Sequence, residues 1–189
     1  MSKTFETVQN LLNDRLNKLA QLELANQIKN VRANMRAFDT KCAAVLAQHK
    51  VDFAYIANAP GKAQREDADS TIIADKTLTK WRQIVQALAY KDASFIDPYT
   101  RAIVRNMLAL GSITNKECFA TISNDANNEE GELRAIKVRL GKAGTTAGAQ
   151  APTTRHALHK LGICVYDANK RVMTLADTKI AQEFKALFE

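Results

Sequence analysis

Disulfide chemistry has little to work with in this chain. Its three cysteines, Cys42, Cys118 and Cys164, are odd in number and widely spaced, which argues against a disulfide framework of the secreted kind. Each sits among apolar neighbours, where a free thiol behaves as a small hydrophobe. Aromatic residues make up only 6% of the sequence, while alanine and leucine are frequent. That balance disfavours a β-sandwich and favours helices, because Ala and Leu lose little side-chain freedom in a helix. No apolar run reaches the ~20 residues of a membrane span, and Met1 to Asn10 hold no apolar signal core. The expectation is a soluble, cytoplasmic protein in a reducing compartment, with no membrane partner.

Catalytic and cofactor signatures are equally scarce. Residues 141–146, Gly-Lys-Ala-Gly-Thr-Thr, lack the residue order of a phosphate-binding loop and a preceding buried strand. Their composition is that of a flexible connection, which we extend from Gly141 to Ala151. His156, His159 and Cys164 do not have the spacing of a zinc site. Glu66, Asp67 and Asp69 stand beside Lys62 and Arg65 as a solvated charge run rather than a nuclease centre. No catalytic residue, metal or cofactor is expected, and the chain reads as a non-enzyme.

What the chain does have is apolar residues at 46%, enough for a core, and a local excess of positive charge. Between Arg134 and Arg171 lie Arg134, Lys137, Arg139, Lys142, Arg155, Lys160, Lys170 and Arg171, eight cations against the single acid Asp167. Eight minus one is +7, the formal net charge of the whole chain. His156 and His159 in the same block add charge when protonated. A local positive field favours a polyanion, and nucleic acid is the commonest. The competing view is a solvated basic face with no partner.

Apolar periodicity organises the rest. Phe5, Val8, Leu12, Leu16 and Leu19 recur at spacings of three and four, and no proline or glycine interrupts Ser2 to Ala59. After a phase slip near Leu22 the pattern continues as Leu24, Ile28, Val31, Met35, Phe38, Cys42 and Val45, an a/d seam over three heptads. The slip marks a bend, a short turn or a stutter. The seam buries either against a second copy, giving a homodimer, or against the protein's own later segments. Ala59-Pro60-Gly61 and the charge run after it make residues 58–70 a loop. Thr77 to Tyr90 reads as a helix with Trp81, Ile84, Val85 and Leu88 on one face. Trp81 at that spacing is a core anchor.

Beyond residue 96 the helix signals are sharp. Asp97-Pro98 is an N-cap followed by a proline at the first helical position, and Gly111 stops that helix after Leu110. Ser112-Ile113 forms a short extended link, and Thr114 with Glu117 forms a capping box for a second helix. Residues 125–131 read as an exposed loop, and 132–140 lean to helix over strand. Thr154 to Leu161 is a helix closed by Gly162. Ile163 to Tyr166 and Arg171 to Leu175 form a hairpin around Asp167 to Lys170, and Asp177 to Phe188 forms a last helix.

This order resembles a winged helix-turn-helix. Thr154, Arg155, Ala157, Leu158 and Leu161 look like its recognition helix, and Ile163, Val165, Arg171, Met173 and Leu175 look like its wing strands. The resemblance runs from Pro98 to Leu175. It departs from the family at residues 124–151, where a tight turn is usual. Those residues are either an insertion carrying Arg134, Lys137, Arg139 and Lys142 to DNA, or a sign of a different fold. The resemblance implies that Thr153, Thr154, Arg155, His156, His159 and Lys160 face DNA, with Lys170 and Arg171 at the wing. Among these Arg155 is the best candidate for guanine.

The fold class is therefore mostly α: a long N-terminal helix or helical hairpin, then a helical domain with a small C-terminal β-hairpin, winged-helix-like. Residues 1–58 are a helical oligomerisation or packing region, 59–96 a linker and helix, and 97–189 the nucleic-acid-binding domain. The expected function is non-enzymatic DNA binding in transcription or replication, with double- or single-stranded DNA as partner and a polymerase as a further candidate partner. A single-strand-binding role calls for stacking aromatics, and Tyr166, inside the basic block, is the candidate, with Tyr99 and Phe119 as further candidates if the fold brings them close. The overall profile is similar to the helix-rich single-strand-binding polymerase cofactors of lytic phages, which makes a viral protein one reading. A helical structural or adaptor protein is the third.

Overall fold

The first fifty residues form three helices despite the near-continuous helical spacing of their apolar residues. The computed structural model describes residues 3–21, 25–51, 53, 68–122 and 147–189, with backbone alone for 68–75 and 147–149. The chain divides into two compact units, Met1–Phe95 and Ile96–Glu189. No helix among the described residues is long and apolar enough to cross a membrane.

In the first unit, α1 (Lys3–Gln21) packs on α2 (Ala25–Ala37) and α3 (Thr40–Gln48), and both of these pack on α4 (Ala68–Tyr90). The heptad seam is cut at Phe38–Asp39. There the Asp39 carboxylate caps α3 by accepting from the Cys42 amide at 2.9 Å, a standard N-cap. The carbonyls that α2 leaves open find side-chain donors from other helices. Gln9 Nε2 donates to Met35 O at 3.1 Å and Gln86 Nε2 to Ala37 O at 2.9 Å. The cut turns Phe38 inward, stacked between Phe5 and Trp81 with ring centroids 6.1 Å from each. Trp81 is 1% exposed, as its spacing requires.

Val31, Phe38 and Cys42 of the seam are buried against the unit's own helices. For these three residues that is the second of the two options the seam left open, while Ile28, Met35 and Val45 are half-buried. Asn34 is buried beside the seam, donating to Thr79 Oγ1 at 3.1 Å and accepting from Arg82 Nε at 3.1 Å. Helix α4 also begins earlier than expected, at Ala68 rather than Thr77, so the end of the expected loop is helical.

The second unit follows the capping signals closely. Helix α5 (Pro98–Leu110) starts where Asp97 accepts from the amides of Tyr99 and Thr100, both at 3.1 Å. It stops at Gly111, whose φ of 75° is the left-handed cap that glycine tolerates. Next come β1 (Ser112–Thr114), α6 (Asn115–Ile122), α7 (Ala147–Lys160), β2 (Cys164–Asp167), β3 (Val172–Leu175) and α8 (Lys179–Lys185). The three strands form an antiparallel sheet in the order β1-β3-β2, with Ile113 opposite Met173 and Met173 opposite Tyr166. The expected extended link is thus a third strand. The capping box forms: Glu117 N–H donates to Thr114 Oγ1 at 3.1 Å, and Thr114 N–H donates to the Glu117 carboxylate at 2.6 Å.

Two expectations are corrected here. The flexible connection expected to run to Ala151 ends earlier, because α7 already begins at Ala147. Ala147, Ala149 and Ala151 favour helix, and Ala151 is buried, so packing adds to propensity. The last helix is shorter than expected and begins at a Thr178 N-cap. The Thr178 hydroxyl also donates to Gly162 O at 2.9 Å, which ties α8 to the end of α7. The expected loop at 125–131 and the helix at 132–140 lie outside the described residues.

All three cysteines are free and buried. Burial pushes each thiol up to about 12, and Cys164 Sγ donates to Met107 Sδ at 3.6 Å.

Two outcomes follow from this packing. Trp81→Ala lowers stability by about 3–5 kcal/mol, measured as a shift in chemical unfolding followed by circular dichroism. Equilibrium sedimentation at micromolar concentration returns the 20.9 kDa monomer mass, because Val31, Phe38 and Cys42 of the seam are covered within the chain.

Candidate nucleic-acid interface

Helical periodicity sorts α7 into two faces. Ala151, Thr153, Thr154, Ala157, Leu158 and then Leu161 are buried. Pro152, Arg155, His156, His159 and Lys160, spaced by threes and fours, form the opposite stripe and are half-buried or exposed. The stripe carries two permanent cations, two imidazoles and no acid.

The same sorting overturns two expected contacts. Thr153 and Thr154 are each 0% exposed. Thr153 Oγ1 donates to Gln150 O at 3.0 Å, and the Thr154 hydroxyl shares a 3.0 Å hydrogen bond with that of Thr100. They stand in phase with Ala157, Leu158 and Leu161, so their hydroxyls serve the core and do not meet a ligand.

Arg155 is held on two sides. Its Nη1 donates to Asn115 Oδ1 at 2.8 Å, and its Cζ lies 4.3 Å from the centroid of the Tyr166 ring. Such a cation–π contact contributes ~1 kcal/mol at a partly exposed site. Asn115 Nδ2 in turn donates to the Tyr166 hydroxyl at 2.9 Å. Arginine has only donors, so the amide oxygen of Asn115 must face it and the amide nitrogen must face the tyrosine. The Asn115 backbone N–H donates to Arg171 O at 3.0 Å. One residue at the start of α6 therefore joins α7, β2 and the residue before β3.

The hairpin turn is built by Asp167, whose Oδ1 accepts from the amides of Asn169 at 2.9 Å and Lys170 at 3.0 Å. Arg171 follows in the left-handed region with φ 55°, and Lys170 and Arg171 are exposed. On α7, His159 Nδ1 lies 3.2 Å from Cys164 O. A carbonyl accepts only, so Nδ1 carries the proton there and Nε2 is left for solvent or ligand. Burial depresses the pKa of His156, with the charges of Arg155, His159 and Lys160 adding to the effect. It is neutral at pH 7, so the extra charge expected from the histidines does not come from this one.

Of the expected contacts, the structure brings together Arg155, His156, His159 and Lys160 on one stripe, and Lys170 and Arg171 at one turn. Tyr166 lies against Arg155. Arg134, Lys137, Arg139 and Lys142 lie outside the described residues. Among the described residues no group of three His, Cys, Asp or Glu could hold a metal ion. Sequence reasoning missed Asn115. Its position after the capping Thr114 was visible, but nothing local linked it to Arg155 or Tyr166.

Comparison with protein-family models, curated proteins and solved structures finds no match to this chain.

The depressed His156 has a pH signature. Below its usual value of 6.5 the unfolded chain takes up the proton before the folded one does, so stability is lost as pH falls from there toward the lowered folded value. His156→Gln removes that loss. The drop in Tm between about pH 7.5 and 5.5 is then smaller in the variant than in the wild type.

Proposed function

We propose that this chain is a non-enzymatic DNA-binding protein of transcription or replication, and that its Ile96–Glu189 unit presents the outer stripe of α7 to duplex DNA, with Lys170 and Arg171 on the flanking backbone. The observation that carries the reading is the stripe itself: Arg155, His156, His159 and Lys160 share one solvent-facing side of a helix that holds no acid. Arg155 and Lys160, the permanent cations of the stripe, are of the kind that neutralises phosphates and releases counterions. The order of elements, α5, β1, α6, α7 and a β2–β3 hairpin, is in keeping with the winged-helix resemblance. There a third helix enters the major groove and the hairpin lies along the backbone.

The single-strand alternative needs an open aromatic face on which bases stack. One face of Tyr166 is occupied by the Arg155 guanidinium. Phe119 is 37% exposed and is the aromatic that this alternative would use. The duplex is therefore the better-supported target.

Titration of matched duplex and single-stranded oligonucleotides over a salt series tests the assignment. Binding to the duplex weakens linearly in log salt. Replacing Lys160, Lys170 and Arg171 together with alanine makes the slope shallower by about 0.9 per phosphate contact removed. Weak, salt-insensitive and equal binding to both oligonucleotides would leave the adaptor reading in its place.

A further inference from the structure

Among the described residues, the contacts of Arg155 are unusual in being wholly neutral. A half-buried arginine ordinarily pairs with a carboxylate, whose planar oxygens match its fork. Here the partners are an amide oxygen at 2.8 Å and a tyrosine ring at 4.3 Å. Lys179–Glu183 and Lys185–Glu189, near the end of the chain, are ion pairs of this unit. Asn115 and Tyr166 thus orient the guanidinium without discharging it. Five N–H groups are available on the guanidinium, and a single one of them is engaged by Asn115.

We propose that Asn115 is a positioning residue for a phosphodiester receptor centred on Arg155, and that Tyr166 backs the guanidinium rather than stacking with a base. This rests on the DNA-binding reading above and deepens it by naming the group bound: a non-bridging phosphate oxygen pair of the duplex backbone, taken by the free N–H groups of Arg155. Holding the arginine in advance removes part of the ordering cost of binding. Asparagine is the residue type that does this at position 115. Aspartate would hold the arginine more strongly and cancel its charge, and alanine would leave the charge without the hold.

Those two replacements make the test, with full-length protein and a labelled duplex followed by fluorescence anisotropy over a salt series. Asn115→Asp keeps the hold and adds an acid at a helix N-terminus, which is favourable there. It melts no lower than the wild type, yet its binding is weakened and its log–log salt slope is shallower by about 0.9, one phosphate contact. Asn115→Ala keeps the slope and loses about three- to tenfold in affinity, the range of one hydrogen bond. In an Arg155→Ala background Asn115→Ala costs nothing further, because its effect passes through the arginine.

An unchanged slope and affinity in Asn115→Asp overturns the receptor. An equal cost of Asn115→Ala in both backgrounds makes Asn115 merely structural and overturns its positioning role. Tighter binding of the single strand that is lost in Tyr166→Leu overturns the role given to Tyr166. Displacement of the duplex by inorganic phosphate at matched ionic strength assigns the site to a free anion and overturns the backbone assignment. A wild-type protein with no salt-dependent binding at all overturns the DNA-binding reading itself, which the other outcomes leave standing.

Discussion

The amide of Asn115 accepts from Arg155 and donates to Tyr166, while the backbone N–H of the same residue bonds the carbonyl of Arg171. Four segments of the second unit meet at that point: the start of α6, the outer stripe of α7, strand β2 and the exit of the hairpin turn. The arrangement works because both donor–acceptor senses of a primary amide are used, one toward an all-donor guanidinium and one toward a phenol oxygen. It leaves the positive charge whole. The phosphate receptor proposed here depends on a cation that is fixed in place and not neutralised.

The backbone around this bridge is fixed by caps and pairing. Asp97 and the Thr114–Glu117 box set where α5 and α6 begin, and Gly111 turns the chain between them. Because Thr114 both ends β1 and caps α6, the next residue, Asn115, is placed by a strand and a helix at once. The sheet register puts Tyr166 opposite Met173 and beside no polar partner across the strand, so its hydroxyl is satisfied by Asn115 instead. Thr178, bonded to Gly162, closes the unit behind α7.

The first unit shows a different constraint. A run that obeys heptad spacing from Leu24 to Val45 is nevertheless broken at Phe38–Asp39. A helix end costs open carbonyls, and here Gln9 and Gln86, from two other helices, supply donors. Phe38 gains a place between Phe5 and Trp81. Neither glutamine is recognisable as a cap from the sequence, because caps of this kind are made across space rather than along the chain. The same holds for β1: three residues with no strong strand signature become a strand because β3 lies alongside.

Local chemistry determined what the sequence alone could tell: a mostly helical chain, the start and stop of α5, the capping box of α6, the C-terminal hairpin, the buried Trp81 and thiols, and a cationic stretch near the end. Each rests on contacts between residues a few positions apart, or on periodicity that a single helix imposes. Tertiary structure decided the rest. It cut the seam and folded it inward, drew α7 back to Ala147, turned Thr153 and Thr154 into the core and left His156 neutral. It also brought Asn115 to Arg155 and Tyr166, residues far apart in the chain. Burial and long-range hydrogen bonding are properties of the packed unit, and no local pattern encodes which distant group a side chain will meet.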